Sequence, residues 1–428
     1  MPDTATAFLS YIDRSPSPYH AIAEAAAALT AAGFACLGEG ERWSLKPGSG
    51  YFVVRGGKSL MAWRQGLAPA AEAGFRLVGA HSDSPVLKLR PRPDAEAKGL
   101  RLLTADVYGG PLLNTWFDRE LKLAGAVWCV GAQVTRHLVD LSQLPVRLTS
   151  LAIHLKADKG SDSFTLDREK DLAVFVGQGD KPGFDLVREA IAGQLGGDPG
   201  PILSIDLSLG DAVPAARLGA QGELISAPRL DNLFSAWTAL TALIEATPAE
   251  TTCGTIIYDA EEIGSQTYTG ARSNFVASVI DRIVAGASED VWRAKAQSLI
   301  VSADMAHAEH PHFMAATDPV TVPHLNGGLA VKTGVQGNYA IGPAAEAWFL
   351  AVCEEAHVPL QRFRYRCDHG RGSSIGPMAT SGLGIAGIDV GAPMLAMHSI
   401  RELAGTADLD GSIKAFAAMF ASRVPLPA

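Results

Sequence analysis

The 428 residues carry 36 basic and 45 acidic side chains, a formal net charge of −9, with 47% hydrophobic content. That length allows two domains with sizeable cores, and an acidic balance without a basic run argues against nucleic acid or an anionic membrane as partner. Five scattered cysteines, without CxxC spacing, read as reduced thiols of a cytoplasmic protein, and no signal peptide or membrane span is expected.

In chain order, the alanine-rich stretch 21–32, broken by Glu24 and Thr30, predicts an amphipathic helix ending at Gly33. Strand-like runs follow at Tyr51-Phe52-Val53-Val54 and Leu60-Met61-Ala62-Trp63. Phe75-Arg76-Leu77-Val78-Gly79-Ala80 then leads into His81-Ser82-Asp83. A histidine and a carboxylate two residues apart thus leave a strand end. His81 is a candidate metal ligand, with Asp83 accepting its second ring N–H and fixing the tautomer; a turn histidine beside a capping Asp is the plainer alternative.

From 91 to 220 short strands such as Val127-Trp128-Cys129-Val130 alternate with Pro- and Gly-containing turns, which reads as a β-rich insertion. Leu151-Ala152-Ile153-His154-Leu155 is expected to be one of these strands, with His154 on its polar face, where simple solvation would also explain it. The charged stretch 158–171 reads as a loop.

The α/β texture resumes at Arg229-Leu230-Asp231-Asn232-Leu233, where Leu230, Leu233, Phe234, Trp237, Leu240, Leu243 and Ile244 recur at helical spacing. Asp231 is expected in the first helical turn, a place that capping alone would favour. The apolar run Gly254-Thr255-Ile256-Ile257-Tyr258 delivers Glu261 and Glu262; neighbours in an extended segment point opposite ways, so one can ligate a metal while the other faces water. Leu299-Ile300-Val301-Ser302-Ala303 delivers Asp304, with His307, His310 and His312 downstream. Gly327 to Lys332 is a further strand, followed by Tyr339; an apolar run from Leu383 to Val390 precedes Met397-His398-Ser399.

The expected fold is α/β: a three-layer α/β/α catalytic domain with a central mixed sheet, in two parts (1–90 and 221–428), interrupted by the β-rich domain (91–220). C-terminal strand ends of a parallel sheet share one edge, so His81, Asp231, Glu261, Glu262, Asp304 and His398 could converge there. Two imidazoles and several carboxylates are the donors expected for a pair of zinc-like ions. Ligating Asp231, Glu262 and Asp304 set three negative charges against four positive. Metal coordination brings water's pKa from 15.7 to about 7. Glu261, left unligated, could pass a proton from that water to a leaving amine. The chemistry is metal-assisted hydrolysis of an amide.

His-x-Asp, Arg-Leu-Asp-Asn, Asp-x-Glu-Glu-x-Gly-Ser, Ser-x-Asp and Met-His-Ser-Ile-Arg-Glu, in this order, resemble the M18 metallopeptidases, the aspartyl aminopeptidases. The likeness runs from Ser15-Pro16-Ser17-Pro18-Tyr19-His20 to Met397 through Glu402. It implies two Zn2+ ions, with Co2+ or Mn2+ as alternatives, bridged by Asp231. His81 and Asp304 would complete one site, Glu262 and His398 the other, with Glu261 as general base. It also implies substrate contacts for His307, Lys332 and Tyr339. The inserted domain would mediate dimerisation and send His154 into a neighbouring subunit's active site, within a homo-oligomer, a dodecamer built from dimers. The implied substrates are peptides with N-terminal Asp or Glu. Such selectivity needs a local cation in a chain of net charge −9, and Lys332 is the candidate. A broader aminopeptidase or deacylase, and a catalytically silent shell, are the competing readings.

Overall fold

The computed structural model describes residues 3–95, 98–155, 164–368 and 372–427. Two compact units share the chain: Met1–Ser84, Ala215–Met397 and Glu402–Ala428 form the first, Pro85–Pro214 and His398–Arg401 the second. Among the described residues no helix is long and apolar enough to cross a membrane.

The first unit is built on a nine-stranded mixed sheet. Its order is Ala35–Cys36, Gly50–Arg55, Ser59–Arg64, Thr252–Tyr258, Phe75–His81, Leu299–Ala303, Ala386–Gly391, Leu329–Thr333 and Leu360–Arg364. The four strands from Thr252–Tyr258 to Ala386–Gly391 are mutually parallel. They are buried on both faces, and their side chains alternate between two cores as a period of two demands. Val78, Ala80, Ile257, Val301 and Val390 enter one core with helices Thr4–Arg14, Pro18–Ala31, Leu230–Glu245, Pro343–Glu355 and Ala407–Ala421. Leu77, Ile256, Tyr258 and Ile300 enter the other, with helices Phe275–Val284, Ser288–Ala296 and Gly376–Leu383. The result is the expected three-layer α/β/α arrangement. A five-stranded sheet (Ala216–Leu218, Leu224–Ala227, Glu402–Gly405, Pro393–Leu395, Ala306–His307) adjoins it.

Asp408, fully buried in the first turn of helix Ala407–Ala421, accepts N–H bonds from Asn326 at 2.7 Å and Gly328 at 2.8 Å, tying the helix to the strand that carries Lys332. Truncating it strands the buried Gly328 N–H, worth about 1–3 kcal/mol, and the part-buried Asn326 N–H, worth less. Asp408→Ala is therefore expected to lower unfolding free energy by about 3 kcal/mol in a urea titration. Burial pushes the Asp408 carboxyl up to about 6 despite those N–H donors. A raised carboxyl binds its proton more tightly when folded, so its contribution to stability is complete below about pH 4 and is lost as pH rises through about 6.

The second unit is a six-stranded antiparallel sheet in the order Val134–Asp140, Leu121–Val130, Ile202–Asp211, Val86–Ala95, Leu100–Tyr108, Ala173–Gln178, with helix Gly183–Leu195 packed on it. This is a β-rich insertion. One strand expected there does not form: Ile153–Leu155 is a 3-10 turn, and Leu151, Ile153 and Leu155 are all exposed. Among the described residues their alternation gives no buried face to hold the segment extended. The run from Leu383 is likewise split: Leu383 ends a helix, Gly384 caps it in the left-handed region at φ 68°, and the strand begins at Ala386. Of the stretch expected as a loop, residues 158–163 lie outside the described residues, and Asp167 to Lys170 form a turn.

Candidate active site

Three parallel neighbours of the central sheet end beside one another, and each C-terminal end carries a polar group. Strand Phe75–His81 ends on His81, Thr252–Tyr258 runs into the Glu261–Ile263 turn, and Leu299–Ala303 delivers Asp304. The fourth component, Asp231, comes from the start of helix Leu230–Glu245, but not from a helical turn as expected. Asp231 and Asn232 have non-helical backbone angles, and the peptide bond between them is cis. Three bonds hold this break: the Asp231 N–H donates to Glu402 Oε2 at 3.0 Å, the Asp231 carbonyl accepts from Ser84 Oγ at 2.6 Å, and Asn232 Nδ2 donates to the Ala303 carbonyl at 2.7 Å. The Arg-Leu-Asp-Asn run and the final Glu of Met-His-Ser-Ile-Arg-Glu thus meet at Asp231.

His81, buried, points Nε2 at Asp231 Oδ1 (3.6 Å) and Asp304 Oδ1 (3.5 Å). The donors of His81, Asp231 and Asp304 lie within 4.8 Å of one another, as do those of His81, Glu261 and Glu262. Separations of 3.5–3.6 Å are long for hydrogen bonds. They match the roughly 3.4 Å edge of a tetrahedron with ~2.0–2.1 Å metal–ligand bonds, so His81, Asp231 and Asp304 fit a zinc ion.

Asp83 acts otherwise than expected. The His81 ring Nδ1 meets the backbone carbonyl of Asp83 at 3.0 Å, and the carboxylate stands farther off, at 3.5 Å. That carboxylate instead accepts the backbone N–H groups of Glu261 and Glu262, both at 3.1 Å. The reason is the turn after Tyr258: with Ala260 left-handed at φ 61°, its N–H groups face Asp83 and need an acceptor. One residue therefore fixes the histidine tautomer through its backbone and the glutamate pair through its side chain.

Charge is crowded here. Burial alone would strip the proton from His81, yet the Asp304, Asp83 and Glu261 carboxylates hold its pKa well above the usual value. Burial, then the Asp304, Asp231 and Asp83 carboxylates, push Glu261 up to about 8, against the pull of His81. Asp304 resists burial because the Lys332 ammonium and His81 keep its carboxyl well below the ordinary range. A cluster of this sign is a seat for cations.

Lys332 is buried, and its Nζ lies 3.3 Å from Asp304 Oδ2 and 5.2 Å from the centre of the Tyr339 ring. Tyr339 is buried and His307 half-buried. His307 Nε2 meets the hydroxyl of Tyr365 at 2.9 Å. Among the described residues His310 and His312 join no group of metal donors. His154 stands exposed on its 3-10 turn in the second unit. His398 opens the segment His398–Arg401 of that unit, its Nδ1 at 3.1 Å from the Gly110 carbonyl.

Glu402, Asn232 and Tyr365 escaped the sequence reading. The first two sat inside motifs already noted; Tyr365 lies in the unremarkable run Arg362-Phe363-Arg364-Tyr365-Arg366, whose only hint is that Phe363 and Tyr365 share a face.

The family model described as aminopeptidase I zinc metalloprotease (M18) matches residues 11–420. The chain belongs to the M18 family. It is 40% identical over 429 residues to a Mycobacterium leprae protein named "Probable M18 family aminopeptidase 2", with 99% of each chain covered. It is similar in structure to an M18 aminopeptidase from Thermotoga maritima (TM-score 0.87, 25% identity, 97% of this chain and 95% of that one). It is also similar to the mApe1 dodecamer of S. cerevisiae (TM-score 0.85, 26% identity, 98% and 96%). As an M18 metalloaminopeptidase the protein is a hydrolase of a zinc-dependent family.

Proposed function

We propose that the protein is a dinuclear zinc aminopeptidase that removes N-terminal Asp or Glu from peptides. The observation that carries this reading is the meeting of His81, Asp231 and Asp304 donors beside Glu261. His81 and Asp304 would hold one ion, Glu262 and His398 the other, and Asp231 would serve both. With Nδ1–H of His398 directed to the Gly110 carbonyl, Nε2 carries the lone pair a metal takes. Zinc, when bound, supplies a Lewis acid that polarises the scissile carbonyl and acidifies water.

The chain's own residues do the rest. Asp83 holds the backbone of Glu261 so that its carboxylate faces the donor cluster. Glu261 takes a proton from the attacking water and returns it to the amine as the peptide bond breaks. Lys332 keeps Asp304 ionised as a ligand and adds positive field near the N-terminal side chain of the substrate.

The β-rich unit, with its exposed Leu151, Ile153 and Leu155 around His154, is read as the dimerisation surface that carries His154 to a neighbouring active site in a dodecamer. The likeness to a dodecamer supports this assembly. Cys36, Cys129, Cys253 and Cys353 as thiols support a cytoplasmic setting.

Elemental analysis together with rates on Asp-, Glu- and Leu-p-nitroanilide tests the reading. Two zinc ions per chain and faster cleavage of the acidic substrates are expected. In Lys332→Ala the Asp-over-Leu ratio should fall about tenfold, the worth of one charge interaction near a partly desolvated site. One ion per chain, or a Leu preference in the wild type, would defeat the respective parts.

A further inference from the structure

The cation expected to read an acidic side chain is spoken for. The side chain of Lys332 is 3% exposed, and its ammonium is paired with Asp304 and covered by the ring of Tyr339. It supplies field, but some other group must supply the hydrogen bond at the surface the substrate reaches. We propose that this group is Tyr365, whose hydroxyl donates to the side-chain carboxylate of an N-terminal Asp or Glu. The inference rests on the acidic preference proposed above and names the residue that reads it.

Tyr365 follows strand Leu360–Arg364, two residues beyond buried Phe363 and on the same side; Arg364, between them, turns away to Asp318 at 3.1 Å. Tyr365 is the meeting point of a cluster of rings. Its hydroxyl lies 2.9 Å from His307 Nε2. Its ring stacks on Tyr339 at 6° and 6.0 Å, and Phe363 abuts it edge-on at 5.0 Å. The Tyr339 hydroxyl also shares a hydrogen bond with Tyr365, one that keeps the proton on Tyr339. Two of the residues that the family resemblance ties to substrate therefore touch Tyr365 directly, and the third, Lys332, lies against the Tyr339 ring.

The stacked pair fixes where the hydroxyl can go, and a phenol both accepts and donates. When His307 Nε2–H and the Tyr339 hydroxyl both donate to the Tyr365 oxygen, the phenolic proton is left to an arriving carboxylate, and a hydrogen bond to a charged acceptor is the stronger kind. A Leu side chain offers no acceptor and gains nothing from it. A site built to hydrogen-bond its substrate in this way rejects the analogue that lacks the group.

Tyr365→Phe removes the hydroxyl and keeps the stack. The wild type and this variant are compared on Asp-, Glu- and Leu-p-nitroanilide, with kcat and KM separated and zinc content measured. The expected result is that kcat/KM for the Asp and Glu substrates falls about tenfold or more, mostly through KM, while the Leu rate is unchanged. If the wild type favours the acidic substrates and the variant keeps that ratio, Tyr365 is not the reader, and the acidic preference stands without it. Equal loss on all three substrates marks a packing role and overturns the proposal. A wild type without acidic preference removes both readings together.

Discussion

Glu261→Gln is expected to keep its zinc, its fold and its assembly, and to lose about 10²–10⁴-fold in kcat, the usual worth of a positioned general base. The variant isolates proton transfer because what positions residue 261 is backbone. Its N–H is held by Asp83 Oδ1, and the turn Glu261–Ile263 is set by left-handed Ala260. Glutamine preserves all of that and removes the carboxylate's charge together with its ability to take a proton. In the chain itself, burial and neighbouring carboxylates raise the Glu261 pKa to about 8, and cations seated among the same carboxylates act in the opposite sense. Steady-state rates on Asp-p-nitroanilide, with zinc measured on the same sample, decide the matter. A kcat close to wild type would exclude Glu261 as the base.

Much of the sheet is legible in the chain, because each buried strand is an apolar run that stops at a polar residue. Phe75 to Ala80 before His81, Gly254 to Tyr258 before Asp259, and Leu299 to Ala303 before Asp304 all mark where the sheet meets its open edge. What hid was whatever depends on backbone facing backbone. Nothing in Arg-Leu-Asp-Asn announces that Asp231 and Asn232 leave the helix, since their helical periodicity continues to Ile244; the break is held by Glu402, Ser84 and the Ala303 carbonyl, far away in sequence. Asp83 looked like a partner for the histidine ring because side-chain logic ignores that its own carbonyl is closer. Leu151, Ile153 and Leu155 alternate like a strand although all three are exposed. Tyr365 hid for the opposite reason: a tyrosine among arginines reads as surface until its stacking on Tyr339 is seen.

Asp231→Asn should move stability in two directions. Without zinc, the wild type crowds the carboxylates of Asp231, Asp304, Glu261, Glu262 and Asp83 near His81, and the strain of that crowding is visible in the raised pKa values of His81 and Glu261. Like charges about 5 Å apart repel by roughly 3 kcal/mol at an effective dielectric near 20, partly offset here by Lys332. Removing the Asp231 charge at nearly constant shape should therefore raise the melting temperature of the chelated protein by a few degrees. With zinc present the order reverses. A ligand at a thousand times its dissociation constant adds about 4 kcal/mol to the folded state. The wild type gains this, whereas a variant lacking the carboxylate proposed to serve both ions should not, and its kcat should fall below a thousandth of wild type. Melting curves with and without zinc, for both proteins, give four numbers. If the chelated variant melts lower than the chelated wild type, Asp231 supports the fold rather than the metals, and the reading of this cluster as a strained cation seat fails.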